Sequence, residues 1–186
     1  MKNIVIKNID KSFGEKHVLK NFSAEFPSGS CTCIMGPSGC GKTTLLKILL
    51  GLEKADAGTV EGMPERVSVV FQENRLCEDI SVRSNLKMVT EKDAGEILEE
   101  LGLGSESDTK VRELSGGMQR RIAIARALLF DSELIIMDEP FKGLDAENRA
   151  LVAAVIRRTG RTVVFVSHHP EEAEIMNAGK IIHIEK

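Results

Sequence analysis

The sequence lacks several features that would assign it to other classes of protein. No apolar run approaches the roughly 20 residues that a membrane-spanning helix needs. Segment 1–10 mixes charged with apolar residues and has no signal-peptide core. A formal net charge of -3 gives no bulk attraction to nucleic acid or anionic lipid. We therefore expect a cytoplasmic protein without nucleic-acid partners, which would need another chain to supply any membrane part.

Cysteine is also scarce, with four residues in the whole chain. One residue separates Cys31 from Cys33, which is not the two-residue spacing of zinc-binding or redox pairs. We therefore expect free thiols, buried in the protein and kept in a reducing compartment. Cys40 is an exception, because it falls inside a motif.

The sequence does have an alternation of apolar strands with helical patterns, which indicates an α/β core. Segments 31–35, 134–137 and 162–166 are typical of buried parallel strands. Periodicity predicts the principal helices at 42–50, 117–130 and 146–158. Further strands are expected at 4–6, 22–26, 66–71 and 180–184, and further helices at 82–89, 94–101 and 171–177. With 186 residues and no internal repeat, one domain over 1–186 fits best.

A glycine-rich turn follows the strand at 31–35 and matches the pattern G-x-x-x-x-G-K-[ST]. Glycines let backbone amides converge on phosphate oxygens, and the helix that follows adds its N-terminus to this anion site. Lys42 can reach the β- and γ-phosphates, and the Thr43 hydroxyl can ligate Mg²⁺. ATP is thus expected to contact residues Gly36, Pro37, Ser38, Gly39, Cys40, Gly41, Lys42, Thr43 and Thr44.

An apolar strand at 134–137 ends in two acids, Asp138 and Glu139. A strand end of this kind delivers Asp138 to the Mg²⁺ shell. Glu139 is then placed to polarise a water for attack on the γ-phosphate. The alternative, an exposed acidic turn before Pro140, loses weight because the phosphate-binding pattern is present in the same chain.

A second helix start has the features of an anion site. It opens with what we call the signature segment, which comprises Leu114, Ser115, Gly116, Gly117 and Met118. Serine and two glycines at a helix start form an anion-binding N-terminus. A chain with one phosphate loop has no obvious need for a second anion site of this kind. With this segment and the order of the motifs, the sequence resembles the ABC ATPase family, in which the signature motif closes over the ATP of a partner subunit.

The resemblance covers nearly the whole chain and implies a fold. It implies a P-loop NTPase core with a mainly parallel sheet, a small antiparallel β region and a helical insertion at about 75–115, shortened relative to the family. Met118, Lys142, Gly143 and His169 depart from residues common in the family, but none of these departures removes a catalytic group.

The resemblance also implies roles for individual residues. Gln72 and His168 join Glu139 as catalytic residues, and Gln72 joins Thr43 and Asp138 around the metal. Phe13 falls where the family stacks an aromatic ring on adenine, and Asp145 falls in the loop that crosses the dimer interface. From the residues alone, Phe13 could be ordinary core, Gln72 a surface amide, and the neighbouring His169 could be confused with His168.

The function implied is that of an ATP-hydrolysing subunit that uses ATP and Mg²⁺ to power transport. It would form a homodimer or paired cassette with ATP bound and lie on the inner face of the membrane through transmembrane permease subunits. A substrate-binding protein would be a further partner of an importer. Residues 70–76 and Met118 look most like the nitrate, sulfonate and taurine importer group. The alternatives are a soluble ABC ATPase of DNA repair or translation, and a nucleotide-binding module without turnover.

Overall fold

Strands and helices alternate in the computed structural model, which describes residues 2–185. The strands are β1 (Ile4–Phe13), β2 (Lys16–Phe26), β3 (Cys31–Met35), β4 (Ala57–Glu61), β5 (Val67–Val70), β6 (Leu134–Asp138), β7 (Thr162–Ser167) and β8 (Lys180–His183). The helices are α1 (Lys42–Leu49), α2 (Val82–Lys87), α3 (Gly95–Glu100), α4 (Gly116–Leu129), α5 (Ala146–Arg158) and α6 (Pro170–Ile175). Short 3₁₀ turns occur at Gly104–Glu106 and Val111–Glu113. Within the described residues, no helix has both the length and the apolarity to cross a membrane.

The strands form two sheets. One is parallel, with the order β5-β6-β7-β3-β8, and the other is antiparallel, with the order β2-β1-β4. This confirms the predicted α/β fold with a mainly parallel sheet and a small antiparallel region. Because β6, β7 and β3 are neighbours and run parallel, the segments that follow them emerge at one edge of the sheet. Ligands of such sheets bind at the carboxyl ends of the strands.

Both faces of the parallel sheet are covered at its central strands, which explains why β3, β6 and β7 are mainly apolar. Along β6, Leu134 and Ile136 face one core, shared with β1, β2 and α1. Ile135 and Met137 face the other core, shared with α4, α5 and the leucines of the segment between β5 and α4. Successive residues of a strand point to opposite faces, so an unbroken apolar run buries both.

The sequence patterns underestimated the first two strands, which are longer than the predicted segments 4–6 and 22–26. They pair as an antiparallel hairpin, closed by a turn at Gly14 (φ 59°). Pairing extends the strands through polar residues that face solvent, such as Lys16 and Lys20. The other predicted elements lie within a few residues of the observed ones. Ser81 caps α2 by accepting the Ser84 N–H at 3.2 Å.

The cysteines are free, as predicted, but their burial differs. Cys33 and Cys40 are buried, Cys31 is partly buried and Cys77 is exposed, so the expectation of burial was wrong for Cys77. Desolvation raises the pKa values of Cys31 and Cys33 to about 12. Both thiols therefore stay protonated at neutral pH.

Candidate functional site

The predicted phosphate loop, residues 36–43, joins β3 to α1 and needs glycine at two positions. At Gly36 (φ 156°) a Cβ would lie 2.4 Å from the carbonyl oxygen of Ile184. At Gly41 (φ 109°), which caps α1, it would lie 2.8 Å from Cγ1 of Val18. Both backbone conformations and both close approaches exclude larger side chains. The pattern seen in the sequence is therefore required by the local packing.

Lys42 begins α1 and reaches back across the loop. Its Nζ donates to the carbonyl oxygens of Gly36 at 2.7 Å and Pro37 at 2.9 Å. The side chain is buried, and it lines the cavity in front of the loop. The ammonium group therefore lies across the loop and beside the cavity that is predicted to hold the β- and γ-phosphates.

Thr43 and Asp138 form the contact between the phosphate loop and the acidic strand. Thr43 Oγ1 donates to Oδ2 of Asp138 at 2.9 Å. Burial raises the pKa of Asp138, and the hydrogen bond from Thr43 opposes that rise. Among residues 2–185, no group of three His, Cys, Asp or Glu side chains could hold a metal by itself. Mg²⁺ at phosphate sites takes one or two protein oxygen ligands together with substrate phosphates, which this pair suits.

Glu139 lies at the centre of a polar cluster built from three strand ends. Its carboxylate accepts a hydrogen bond from Gln72 Nε2 at 3.4 Å and lies 3.5 Å from His168 Nδ1. Lys142 Nζ lies 3.9 Å from the same carboxylate. The three residues predicted to be catalytic are therefore brought together. The sequence had singled out Lys142 only as a departure from the family pattern.

One cavity of about 890 Å³ is shared by Lys42, Thr43, Gln72, Glu139 and His168, whereas Asp138 and Lys142 do not line it. It is lined by Phe13, Lys16, Val18, Pro37, Ser38, Gly39, Gly41, Lys42, Thr43, Thr44, Gln72, Glu139, Val166 and His168. Gly36 and Cys40, which were also expected to contact ATP, do not line it. The Cys40 side chain is buried and lines an adjoining cavity, which shares Lys16, Val18, Ser38 and Gly39 with the first.

Phe13 ends β1 at the rim of this cavity. The residue is 49% exposed, which excludes the alternative that it belongs to the core. Lys11 Nζ lies 4.8 Å from the ring centroid. A half-exposed aromatic ring beside a phosphate loop is suited to stacking on a base.

The two histidines after β7 differ in the residues that they contact. His168 lines the cavity and contacts Glu139, whereas His169 Nδ1 lies 3.6 Å from Glu171. The turn between them is fixed by Ser167, whose Oγ donates to Glu172 at 2.6 Å and accepts the His169 N–H at 2.9 Å. The geometry thus favours His168, as the sequence analysis did.

The signature segment does not line this cavity. Ser115 caps α4 by accepting the Met118 N–H at 3.2 Å, and both Ser115 and Gly116 are exposed. Asp145, of the predicted dimer loop, similarly caps α5 by accepting the Asn148 N–H at 2.8 Å. The second helix start, at the signature segment, therefore faces solvent and does not belong to the cavity of the chain's own phosphate loop.

Comparison with known proteins decides the family. A family model described as ABC transporter matches residues 19–142, which is most of the chain. The chain belongs to the ABC transporter family. Its fold agrees with a solved structure titled as the ADP conformation of MJ1267, an ATP-binding cassette of an ABC transporter. That match has a TM-score of 0.78 and 27% identity, and it covers 93% of this chain and 84% of the other.

The ABC proteins that are similar to this chain include ATP-binding proteins named for export and others named for import. A Nod factor export ATP-binding protein I of Burkholderia lata is 39% identical and matches 92% of this chain. A sulfate/thiosulfate import ATP-binding protein CysA of Acinetobacter baylyi is 37% identical and matches 98%. An aliphatic sulfonates import ATP-binding protein SsuB 2 of Paraburkholderia xenovorans is 37% identical and matches 91%. This ABC chain spans 64%, 62% and 72% of their lengths, respectively.

Proposed function

We propose that this ABC chain binds MgATP in the cavity in front of the phosphate loop and hydrolyses it to power transport through separate membrane subunits. One observation carries the proposal. The phosphate loop and the side chains of Gln72, Glu139 and His168 open onto the same cavity at the carboxyl edge of the parallel sheet. Thr43, which also lines this cavity, is hydrogen-bonded to the buried Asp138. This combination supplies an anion site, a place for a divalent cation and a carboxylate base together.

The binding half of the site would hold ATP by its phosphates and by its base. The phosphates would lie against the backbone N–H groups of residues 38–41 and the N-terminus of α1, beside the ammonium of Lys42. Thr43 and Asp138 would hold Mg²⁺, with Gln72 at its edge, and the ion neutralises phosphate charge when bound. Phe13 would stack on adenine.

The catalytic half of the site activates water. Glu139 accepts the proton of the attacking water as general base. Gln72 orients that water, and His168 donates a hydrogen bond to the γ-phosphate as negative charge moves during its transfer. The existing contacts of both residues with the Glu139 carboxylate support these roles, because they place the three side chains within reach of one another.

The exposed signature segment supports a head-to-tail dimer in the ATP-bound state. A capped helix start with free backbone N–H groups attracts phosphate, yet it stands apart from the cavity of its own chain. In the proposed dimer, Ser115 and Gly117 of each chain approach the γ-phosphate bound by the other. Asp145 then lies in the loop that crosses the interface.

The role in transport is inferred from the relatives, whose names describe ATP-binding proteins of import and export systems. A membrane-spanning permease is the partner that we propose, with a substrate-binding protein added if the system is an importer. On this proposal the chain lies on the inner face of the membrane. The relatives' names include both import and export. On this proposal the partner subunits determine the direction of transport and the cargo.

Phosphate release from ATP by the full chain tests the proposed activity. We expect turnover with Mg²⁺ and none when the ion is removed with a chelator. Co-purification with a membrane-spanning chain, followed by reconstitution in vesicles, tests coupling to transport. A chain that binds MgATP but releases no phosphate, even with that membrane partner present, would overturn hydrolysis and leave a binding module.

Replacing Phe13 should weaken ATP binding without removing it. Base stacking on an aromatic ring is worth about 1–3 kcal/mol, and the lower end suits a half-exposed ring. We therefore expect Phe13→Ala to raise the Kd for ATP about fivefold, the ratio that about 1 kcal/mol gives. Equilibrium titration with nucleotide measures the change. Phe13→Tyr keeps the ring and serves as the control, and equal Kd values for wild type and Phe13→Ala would exclude stacking.

A further inference from the structure

One arginine outside the site described above uses every hydrogen-bond donor of its guanidinium group. Arg120 lies in α4 and is only 3% exposed. Its acceptors are Pro140 O (3.0 Å from Nε), Phe71 O (2.5 Å) and Asn74 Oδ1 (3.3 Å) from Nη1, and Asp138 O (2.7 Å) and Glu139 O (2.8 Å) from Nη2. Because arginine has five N–H donors, this side chain is fully satisfied.

These bonds hold the backbone turn that presents Glu139. The residue has φ 48°, in the left-handed region that residues other than glycine rarely adopt. Such a conformation persists only where the surroundings determine it, and it is typical of functional sites. Arg120 binds three successive carbonyl groups, those of residues 138–140, and so fixes this turn on both sides of Glu139.

The same guanidinium fixes the backbone next to Gln72. Its bond to the Phe71 carbonyl lies one residue before Gln72, and its bond to Asn74 lies two residues after. Arg126, on the same helix, adds bonds to the carbonyls of Asn74 at 3.2 Å and Arg75 at 2.8 Å. Two arginines of α4 therefore clamp the segment that carries Gln72.

Burial makes this arrangement specific to arginine. Desolvation lowers the pKa of Arg120 to about 10, although the charges of Asp138 and Glu139 favour the charged form. A lysine would bring three donors from a single nitrogen and could not span carbonyl groups of two separate segments. A buried charge is weak evidence that a side chain stabilises the fold. The role of Arg120 is therefore sought in the groups that it positions.

We propose that Arg120 is a positioning residue for hydrolysis. It fixes the Glu139 turn and the Gln72 segment, and it ties both to α4, the helix that Ser115 caps. Contact of the signature segment with a second chain would thus be transmitted to the general base of its own chain. This inference rests on the proposed hydrolysis at Glu139.

Arg120→Lys in the full chain tests the inference. We expect kcat to fall on the order of 10²-fold, the scale for a slightly misplaced catalytic group, while the Kd for ATP stays at the wild-type value. Rates are calculated per nucleotide-binding site, so that unfolded protein does not contribute. Arg120→Gln, which is shorter and neutral, should lower kcat at least as far.

Arg161→Lys is the matched control. Arg161 likewise binds backbone carbonyls, among them that of Phe130 at 2.9 Å, but it precedes β7 at the opposite end of the sheet. Its replacement should lower the melting temperature and leave kcat unchanged. A fall of kcat in Arg161→Lys equal to that in Arg120→Lys would make the effect one of general stability and overturn the inference.

A double-mutant cycle separates positioning from an independent effect. In a Glu139→Gln background, measured by single-turnover hydrolysis, Arg120→Lys should slow the remaining reaction far less than it slows the wild type. An equal loss in both backgrounds would show that Arg120 does not act through Glu139. Wild-type kcat in both Arg120 variants would overturn the inference and leave the proposed function intact. A wild-type chain without turnover would instead defeat the proposed function.

Discussion

Glu139→Gln is expected to lower the rate of ATP hydrolysis by about 10²- to 10⁴-fold, the range typical for loss of a general base, while ATP binding is kept. The amide has nearly the same shape as the carboxylate and still accepts a hydrogen bond from Gln72, which lies 3.4 Å away. It does not take up a proton from water at neutral pH. Single-turnover phosphate release and equilibrium nucleotide binding measure the two effects separately.

Glu171→Gln provides the matched control for this substitution. Glu171 is an exposed carboxylate beside His169 and does not line the cavity. The same chemical change there should alter neither binding nor turnover. A Glu139→Gln protein that hydrolyses ATP at a near-normal rate would remove Glu139 from the mechanism and leave water activation to another group.

Lys42→Ala should weaken ATP binding and stop turnover. A hydrogen bond to a charged group is worth about 1.5–3 kcal/mol, so the loss of one ammonium contact should raise the Kd roughly 10- to 100-fold. The substitution also removes the bonds that hold the carbonyls of Gly36 and Pro37 across the loop. Nucleotide titration gives the change in Kd, and phosphate release at saturating ATP gives the change in turnover.

Lys47→Ala controls for the loss of a positive charge on the same helix. Lys47 lies in the last turn of α1 and is exposed. Its replacement should leave both the Kd and the rate at wild-type values. If Lys42→Ala bound and hydrolysed ATP as well as Lys47→Ala does, the assignment of residues 36–43 as the phosphate loop would be wrong.

The parts of the site that depend on local pattern could be predicted from the sequence. β3 has the predicted bounds because a short apolar run leads directly into the glycine-rich turn. α5 also has the predicted bounds, since Asp145 caps one end and two arginines stand at the other. Gln72, Glu139 and His168 each follow a strand of one parallel sheet, so their meeting at its edge follows from the alternating pattern.

The contacts that depend on long-range packing could not be predicted. Arg120 bonds to the Phe71 carbonyl, 49 positions away, and backbone acceptors leave no trace in side-chain chemistry. Likewise, the left-handed conformation of Glu139 has no signal in its residue type. The length of the β1–β2 hairpin could not be predicted either, because polar residues interrupt the apolar pattern of both strands. Pairing with partner strands, rather than residue propensity, extends them.

The central claim is that each ATP is hydrolysed between the phosphate loop of one chain and the signature segment of another. Ser115→Arg places a bulky cation where the partner's ATP would lie, and it should stop hydrolysis while the intact phosphate loop still binds ATP. Lys42→Ala disables the other half of the site. A dimer of one Lys42→Ala chain with one Ser115→Arg chain would have one site with both lesions and one site with neither.

Phosphate release from MgATP by this mixture, compared with each variant alone, tests the claim most directly. Each variant alone should be inactive, because every site in its dimer carries a lesion. Mixing should restore hydrolysis, with nucleotide bound at a single productive site in each mixed dimer. A mixture no more active than its separate components, although wild type hydrolyses ATP and the two variants associate, would contradict a site shared between two chains.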